Sequence, residues 1–491
     1  MKIFTEHSSL FHDSNFCFYD EKDLCYLKLE RYVERKHFSS PMLSITNENK
    51  EKNFQLMKAI VKKTHDFDLQ QVDDDSINHH LRHALSMELF SINDYDVHVV
   101  IDGIGDYDIW SIIRNHKIVR RQNAYTAKGS IGGIMVFLGS KLELKGFSLD
   151  FAGKVMGLQS YGKLNNEYYE KLKKYDMNLL GDLSLGDEEI KTIKRPAEAV
   201  SFLQKGYDIY DISKIASEKR IDAVHTIHKR LGEIVLSIFE KYVSPNERVA
   251  YSGGVAQNVV WNTELKKRYP KLEILPHCGD EGLSFGTMEF FRKKHNLKFD
   301  LSRYPFMQSD EAPDDEPTID TIQKTARHLA NGKIVAWYQG HGEVGPRALG
   351  HRSILMDPRI KNGKDIINRV KNRESFRPFG ASVLSEYAKE YFDLDFENPY
   401  MLYLGTTQKD NLDAITHVDG TCRAQTVNKD FDKNFRLLLE YFHDMTGCPV
   451  LLNTSLNEAG KPIAGWIRNA MHEFNTKAID VLVVGNTIYE K

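Results

Sequence analysis

The 491-residue chain reads as an α/β protein in two parts, and three observations carry that reading. Short β-rich runs followed by polar or glycine-rich turns recur in the first half. A strand, Gly-Gly turn and helix follow one another near residue 250. An acidic, proline-bearing stretch then sets the final segment apart. At roughly 100–200 residues per domain, the length accommodates two or three domains and a sizeable core.

Residues 16–19 (Phe-Cys-Phe-Tyr) predict a strand, Asp20-Glu21-Lys22-Asp23 a turn, and residues 24–29 a second strand. Residues 97–101 predict another strand, running into Asp102-Gly103-Ile104-Gly105-Asp106 and a further strand over 109–113. The two units fit a duplicated scaffold with phosphate-facing turns, or two unrelated hairpins. Apolar positions at Val224, Ile227, Leu231, Ile234, Val235, Ile238, Phe239 and Tyr242 have helical spacing, so 222–242 is a helix with one buried face. A strand over 248–251 meets Ser252-Gly253-Gly254-Val255-Ala256-Gln257-Asn258, followed by a helix through Arg268. Such a turn aims backbone amides and a helix dipole at an anion, and glycines let the backbone come close. Many Gly-Gly turns bind nothing. Residues 304–319 combine three prolines with a run of acidic residues, a composition that resists helix and burial. The domain boundary is placed there, giving 1–305 and 320–491.

The bulk numbers exclude several classes. With 66 basic and 69 acidic residues the formal charge is −3, which demands neither nucleic acid nor an anionic membrane. The five cysteines are scattered, without C-x-x-C spacing, and read as reduced thiols. The first residues, Met-Lys-Ile-Phe-Thr-Glu-His, do not make a signal peptide, and no apolar run approaches the roughly 18 residues that span a bilayer. A cytoplasmic setting is expected.

Two clusters carry chemistry. His79 and His83 stand four apart, on one face of a helix and about one turn (~6 Å) apart, which suits a transition metal. His80 occupies the place of the glutamate in H-E-x-x-H, so a metalloprotease is a poor reading. Asp102 and Asp280 are candidate oxygen ligands. Two nitrogens and two carboxylates favour Fe²⁺, Zn²⁺ or Mn²⁺ over Mg²⁺ or Ca²⁺. The pair also fits a helix that simply packs its histidines. The second cluster is a strand at 334–338 followed by a segment rich in glycine and arginine: Arg347, Arg352, Arg359, Arg369, Arg373 and Arg377, with Arg423 later. Arg347 lies between Pro346 and Ala-Leu-Gly, and Arg377 between Phe376 and Pro378-Phe379. Guanidinium groups pinned in such contexts suit phosphate or carboxylate better than a solvated face.

Taken together, the motifs resemble the O-carbamoyltransferase family of nodulation-factor and antibiotic-tailoring enzymes. They are His12-Asp13-Ser14, Glu30-Arg31 with Arg35-Lys36-His37, and the histidines of 79–83. Next come Asp102-Gly103, Lys154-Val155-Met156-Gly157-Leu158 with Ser160-Tyr161-Gly162, Gly253-Gly254-Val255-Ala256 with Asn258, and Gly279-Asp280. The second half adds Gly345-Pro346-Arg347-Ala348-Leu349-Gly350, Arg352-Ser353, Phe376-Arg377-Pro378-Phe379, His417-Val418-Asp419-Gly420 with Arg423, and Leu452-Asn453-Thr454-Ser455. Several members read G-R-M-E-F-G-P-R-A-L-G-N-R-S. Here His341-Gly342 replaces Arg-Met, Val344 replaces Phe and His351 replaces Asn, which removes an arginine from any anion contact at 341.

The resemblance implies an N-terminal domain with the duplicated actin/Hsp70-like ATPase fold, similar to the tRNA threonylcarbamoylation ATPase. It implies a smaller α/β C-terminal domain with a twisted mixed sheet, similar to the enzyme that makes threonylcarbamoyl-adenylate. It implies a divalent metal, first of all Fe²⁺, on His79, His83, Asp102 and Asp280, and ATP, with Mg²⁺ accompanying it, at Asp102, Gly103, Gly253, Gly254, Asn258 and Asn453. Carbamoyl phosphate is expected at Arg347, Arg377, Arg423 and Ser455, with His12, Lys36 and Arg347 acting in catalysis. The expected partners are carbamoyl phosphate and a hydroxyl acceptor: a sugar, a natural product or, by base flipping, a hydroxymethylated nucleobase that net charge does not favour. A homodimer is admissible. Two rivals stand beside this reading: a threonylcarbamoyl-adenylate system acting on tRNA, and a nucleotide sensor that transfers nothing. The Arg-rich second half speaks against the sensor.

Overall fold

The computed structural model describes residues 3–7, 13–19, 23–34, 36, 77–91, 94–127, 129–181 and 207–491. The chain is α/β throughout and divides into two compact units, Asp75–Glu289 and a second formed by Met1–Asp74 with Phe290–Lys491.

The unit Asp75–Glu289 is built on a five-stranded sheet. Its strands are β4 (Val97–Gly105), β5 (Asp108–Arg114), β6 (Lys117–Asn123), β7 (Val249–Ser252) and β8 (Leu272–Glu273), in the order β6-β5-β4-β7-β8. The first three form an antiparallel meander, while β7 and β8 run parallel to β4. The helix expected over 222–242 is Arg220–Tyr242, and seven of its eight predicted apolar positions, Val224 through Phe239, are buried. Each such side chain contributes about 1.5–3 kcal/mol when fully removed from water. Tyr242, the eighth, is half-buried at the helix end.

The other unit holds two sheets. The first hairpin predicted from sequence belongs to a meander of β1 (Ile3–His7), β2 (Asn15–Tyr19) and β3 (Leu24–Lys28). The repeated pattern in the sequence therefore corresponds to two meanders of like topology. The second sheet has eight strands: β9 (Val335–Tyr338), β10 (Arg352–Met356), β11 (Gly380–Leu384), β12 (Gly405–Thr406), β13 (Thr421–Val427), β14 (Val450–Ser455), β15 (Val481–Val484) and β16 (Thr487–Glu490). Their order is β12-β13-β11-β14-β10-β9-β15-β16. The β11/β13 and β9/β15 pairs are parallel and the others antiparallel, so the sheet is mixed. One core joins this sheet to the helices Ile319–Ala330 and Lys433–Thr446, through Ile322, Leu329, Trp337, Leu355, Phe435 and Leu439.

The compact units depart from the boundary placed at 304–319. That segment is free of helix up to Thr318, as its prolines dictate, but it lies inside one unit and is partly buried at Pro305, Met307 and Gln308. The reason is electrostatic. The buried Asp310 carboxylate pairs with Arg352 at 3.1 Å and Arg31 at 3.5 Å, and Arg31 also donates to the carbonyl of Glu343 at 2.8 Å. A buried carboxylate is retained where partners compensate its desolvation. This one holds the β1–β3 meander and the C-terminal sheet to the same segment. Burial still raises the Asp310 pKa, against the pull of Arg352 and Arg31.

Candidate functional site

The helix His79–Phe90 begins at Asn78, whose side chain accepts from the amides of His80 and Leu81. Capping there fixes which residues open the helix, and so sets His79 and His83 one above the other. His79 lies against the turn ending β4: a Cβ at Gly105 would stand 2.2 Å from its imidazole. Asp102 sits on β4 just beyond its pairing with β7, at the carboxyl end of the parallel strands, where open α/β sheets bind ligands. Asp280 opens the short turn Asp280–Gly282.

These four side chains converge. His79 Nε2 is 3.1 Å from Asp102 Oδ2 and 3.4 Å from Asp280 Oδ1, and His83 Nε2 is 3.5 and 3.4 Å from the same atoms. The two imidazole nitrogens are 3.2 Å apart. A cation ~2.0–2.1 Å from each of four tetrahedral donors separates them by about 3.3–3.4 Å. The donor set and its spacing therefore fit a four-coordinate first-row divalent metal. Asp102 is aimed by its surroundings: its other oxygen, Oδ1, accepts from the amides of Gly103 at 2.7 Å and Gly254 at 3.0 Å. Such outer partners orient a ligating carboxylate.

Electrostatics agree with that assembly. Burial opposes charge on His79, yet Asp280 and Asp102 push its pKa up to about 10. His83 is likewise raised against burial by hydrogen bonds to Asp102 and Asp280. Burial opposes ionisation of the two carboxylates, and the histidines nonetheless hold both well below the usual range. His80, the third histidine of the helix, points elsewhere: its Nδ1 meets Ser111 Oγ at 2.7 Å, and burial, then His79, push it down to about 3.

The Gly-Gly turn has a local task. Gly253 adopts φ +93°, and a Cβ there would lie 2.2 Å from the carbonyl of Ile101. This lets the amide of Gly254 reach Asp102 instead of standing open to a phosphate. Asn258 caps the helix Val259–Arg268 through Trp261 N and contacts His228 Nε2 at 3.0 Å, so its side chain serves local packing. Burial and nearby His225 keep His228 neutral, with a pKa of about 3.

In the other unit the arginines separate by role. Arg352 is fully buried, donates to the carbonyls of Ala464, Glu311 and Gly340, and lies 3.7 Å over the Tyr338 ring. Arg359 is paired with Asp357 at 2.6 Å, and Arg369 is exposed. Within that arginine-rich segment, the first two are consumed by structural partners and the third faces solvent, so density of arginine alone does not mark the anion site. Arg347, Arg373, Arg377 and Arg423 instead gather near one another. Burial and then Arg347 and Arg377 push Arg423 well down; burial, then Arg377 and Arg423, do the same to Arg373. Glu374, 3.7 Å from Arg377, is the carboxylate beside this group. Guanidinium remains charged in proteins, so the cluster concentrates positive potential.

Sheet register builds the floor of this cluster. Gly380 on β11 stands between Arg423 on β13 and Asn453 on β14, so the two side chains flank a position that has none. Ser455, two residues along β14, shares the face of Asn453. The Nε of Arg423 and the Oδ1 of Asn453 are buried without a hydrogen-bond partner among the described residues. Asn453 Nδ2 meets Ser382 Oγ at 2.9 Å. Ser455 Oγ donates to Asn457 Oδ1 at 2.6 Å and accepts from Lys371 Nζ at 3.2 Å. The structure thus brings Arg347, Arg377, Arg423, Asn453 and Ser455 to one region. Asn453, expected at ATP, lies here with the arginines. Lys36 lies near enough to Lys371 to affect its charge, and His12 falls outside the described residues.

Sequence reasoning did not single out Lys371, Ser382, Gln425 or Asn457. Lys371 is buried, and its ammonium contacts the Asn457 carbonyl at 2.5 Å and Oδ1 at 2.6 Å. Burial, then Arg373, push its pKa well down, with Glu473 opposing and Arg377 and Lys36 adding to the shift. The alternation Lys371-Asn372-Arg373 was the available signal, since one cationic pair spaced by two in a loop can face one ligand.

Comparison with known proteins gives two family matches: the carbamoyltransferase N-terminus over residues 10–288 and the carbamoyltransferase C-terminus over residues 326–491. The nodulation protein NolNO of Sinorhizobium fredii is 28% identical over 96% of this chain and 71% of that protein. The nodulation protein NolO of Bradyrhizobium diazoefficiens is 30% identical over 84% and 79%. The 3'-hydroxymethylcephem-O-carbamoyltransferase of Streptomyces clavuligerus is 30% identical over 56% and 55%.

Proposed function

The chain belongs to the carbamoyltransferase family and is a transferase, and from that premise we propose that it uses ATP and carbamoyl phosphate to carbamoylate an acceptor hydroxyl. The observation that carries the donor assignment is the gathering of Arg347, Arg373, Arg377 and Arg423, with Glu374 beside Arg377. A small phosphorylated dianion balances that charge, and guanidinium forks match its oxygens bidentately. The hydroxyl acceptor follows from the Streptomyces relative, whose name specifies O-carbamoylation.

In the proposed sequence, water accepts the phosphoryl group of carbamoyl phosphate, giving phosphate and carbamate. A carbamate oxygen then attacks the α-phosphorus of ATP, and pyrophosphate leaves. The acceptor oxygen attacks the carbamoyl carbon of the resulting carbamoyl-adenylate, losing its proton as AMP departs. Arg347 and Arg423 hold the donor phosphate, with Arg377 and Ser455 beside them. His12 and Lys36 are the proposed groups for the transfer step; on the nucleotide side Asp102, Gly103 and Gly253 form the proposed turn, with Gly254 and Asn258 supporting it through Asp102 and the helix Val259–Arg268. His79, His83, Asp102 and Asp280 would hold a divalent cation, which would supply charge stabilisation to the nucleotide's phosphates. Asn453 joins the donor group in this proposal because its side chain lies with Arg423.

The test is product analysis of the full chain with ATP and carbamoyl phosphate. AMP and pyrophosphate are expected only when both are present, with a carbamoylated hydroxyl detected by mass spectrometry on an accepted alcohol. Nucleotide turnover supported by threonine and bicarbonate in place of carbamoyl phosphate sinks the proposal in favour of the tRNA-type system. Binding without pyrophosphate sinks it in favour of a sensor.

A further inference from the structure

On the sheet face that carries Arg423, three buried polar side chains form a run of hydrogen bonds whose direction is fixed from one end. Gln425 Nε2 donates to the Leu349 carbonyl at 2.8 Å. A carbonyl only accepts, so the other end of the Gln425 amide has to be its oxygen. That oxygen, Oε1, receives the Ser382 hydroxyl at 2.6 Å. The hydroxyl proton is thereby committed, and Ser382 Oγ accepts from Asn453 Nδ2 at 2.9 Å. Two further acceptors face the same Nδ2: Gln425 Oε1 at 3.3 Å and the Ala348 carbonyl at 3.4 Å. The Asn453 amide therefore has one permitted orientation, with Oδ1 turned away from the network. Ser382 and Gln425 are fully buried and Asn453 is 1% exposed.

Asn453 Oδ1 is buried without a hydrogen-bond partner among the described residues. An unpaired buried oxygen costs about 1–3 kcal/mol, which a ligand bringing an N–H or O–H would offset. Arg423 and Asn453 flank Gly380 on one face of the sheet, two strand spacings or about 10 Å apart at their Cα atoms. Met401 Sδ borders that position, 3.0 Å from where a Gly380 Cβ would stand, and a thioether has no proton to give. A dianionic phosphate has none to give either, so the phosphate end of a donor leaves Asn453 unsatisfied. The amino group at the other end of carbamoyl phosphate carries two N–H bonds and satisfies it.

We propose that Asn453 Oδ1 accepts a hydrogen bond from the carbamoyl amino group, and that Ser382 and Gln425 are positioning residues that hold the amide in the orientation this requires. The site thereby selects a carbamoyl donor over an acyl phosphate of the same size and charge. The inference rests on the donor reading of the arginine cluster.

Calorimetry on the full chain without ATP tests it, with carbamoyl phosphate, acetyl phosphate and inorganic phosphate as probes. Acetyl phosphate puts a methyl in place of the amino group and keeps the phosphate. The parent is expected to bind carbamoyl phosphate at least about tenfold more tightly than acetyl phosphate, the effect of one hydrogen bond to a buried group. Asn453→Leu, close in size but without an acceptor, should reduce that preference to about twofold or less. Ser382→Ala frees the amide to turn and should lower the preference about threefold or more, which carries the test if the leucine variant does not fold. A parent that binds the two acyl phosphates equally overturns the inference. So do variants that keep the parent's preference, or that weaken all three probes by one common factor, as a purely structural role would. A parent that binds none of the three overturns the donor reading itself, and the inference with it.

Discussion

The two clusters of titratable side chains hold charge in opposite ways. In the unit Asp75–Glu289, two carboxylates and two imidazoles face one another within hydrogen-bonding range, and each raises or lowers its partners toward the charged form. In the other unit, Arg347, Arg373, Arg377, Arg423 and Lys371 are of one sign, and burial together with neighbouring cations disfavours the charge of Arg373, Arg423 and Lys371. In the first cluster neighbouring groups favour the charged forms; in the second, neighbouring cations oppose them. A site that binds a cation through mixed ligands can be self-compensating before it binds. A site for a small dianion must instead concentrate positive charge. Residues of the first kind should therefore cost stability when removed, and residues of the second should release it.

The sharpest way to break that contrast is to remove a member from each side. His83→Ala should lower metal affinity at least ~100-fold, read by metal analysis after dialysis, and should leave phosphate binding intact. A retained metal, or lost phosphate binding, removes the distinction between the clusters. Arg423→Met should weaken phosphate binding by about tenfold or more, the loss of a charge-assisted contact. In the same variant the thermal midpoint should hold or rise by about 1–3 °C, because a repelled buried cation has gone. A midpoint several degrees lower would show that the arginine supports the fold instead.

The histidine pair was legible because helical spacing alone sets residues four apart on one face. The aspartates were legible only as candidates: their places at a predicted strand end and in a turn suggested Asp102 and Asp280, but it is the packing of β4, β7 and the turn Asp280–Gly282 that brings them to the histidines. The Gly-Gly turn was seen but its immediate partner was not, since an amide aimed at Asp102 looks in sequence like an amide aimed at phosphate. Arginine density near 347 was evident, yet sequence could not separate Arg352, consumed by carbonyls and Asp310, from Arg423, which has a buried unpartnered Nε. Lys371 shows the same limit: nothing local distinguishes a buried lysine from a solvated one. The segment 304–319 was read as a linker because its acidic residues looked solvated, whereas Asp310 has distant partners in Arg31 and Arg352.

Two smaller effects sharpen the comparison. Gly254→Ala would place a methyl 3.0 Å from Asp102 Oδ1 and displace the carboxylate it now orients, so metal affinity should fall about tenfold with phosphate binding unchanged. Equal metal affinity would mean that the turn does not support the centre. Lys371 offers the reverse probe. Its charged form is disfavoured in the folded protein, so as pH falls below the ordinary lysine range the unfolded chain gains a proton that the folded chain resists, and stability drops. An anion beside Lys371, Arg373 and Arg377 favours the ammonium and raises that pKa. Phosphate binding near pH 8 should thus take up a fraction of one proton, measured by calorimetry in buffers of different ionisation enthalpy. Buffer-independent heats would separate Lys371 from the anion.

The most direct measurement is a crystal structure of the full chain grown with Mn²⁺ and soaked in carbamoyl phosphate, with anomalous data at the manganese edge. The account predicts one anomalous peak about 2.0–2.2 Å from the donor atoms of His79, His83, Asp102 and Asp280, and phosphate density on Arg347 and Arg423. A cation held by other residues, or a phosphate bound at the Gly254 turn with the arginines left open to water, would contradict it.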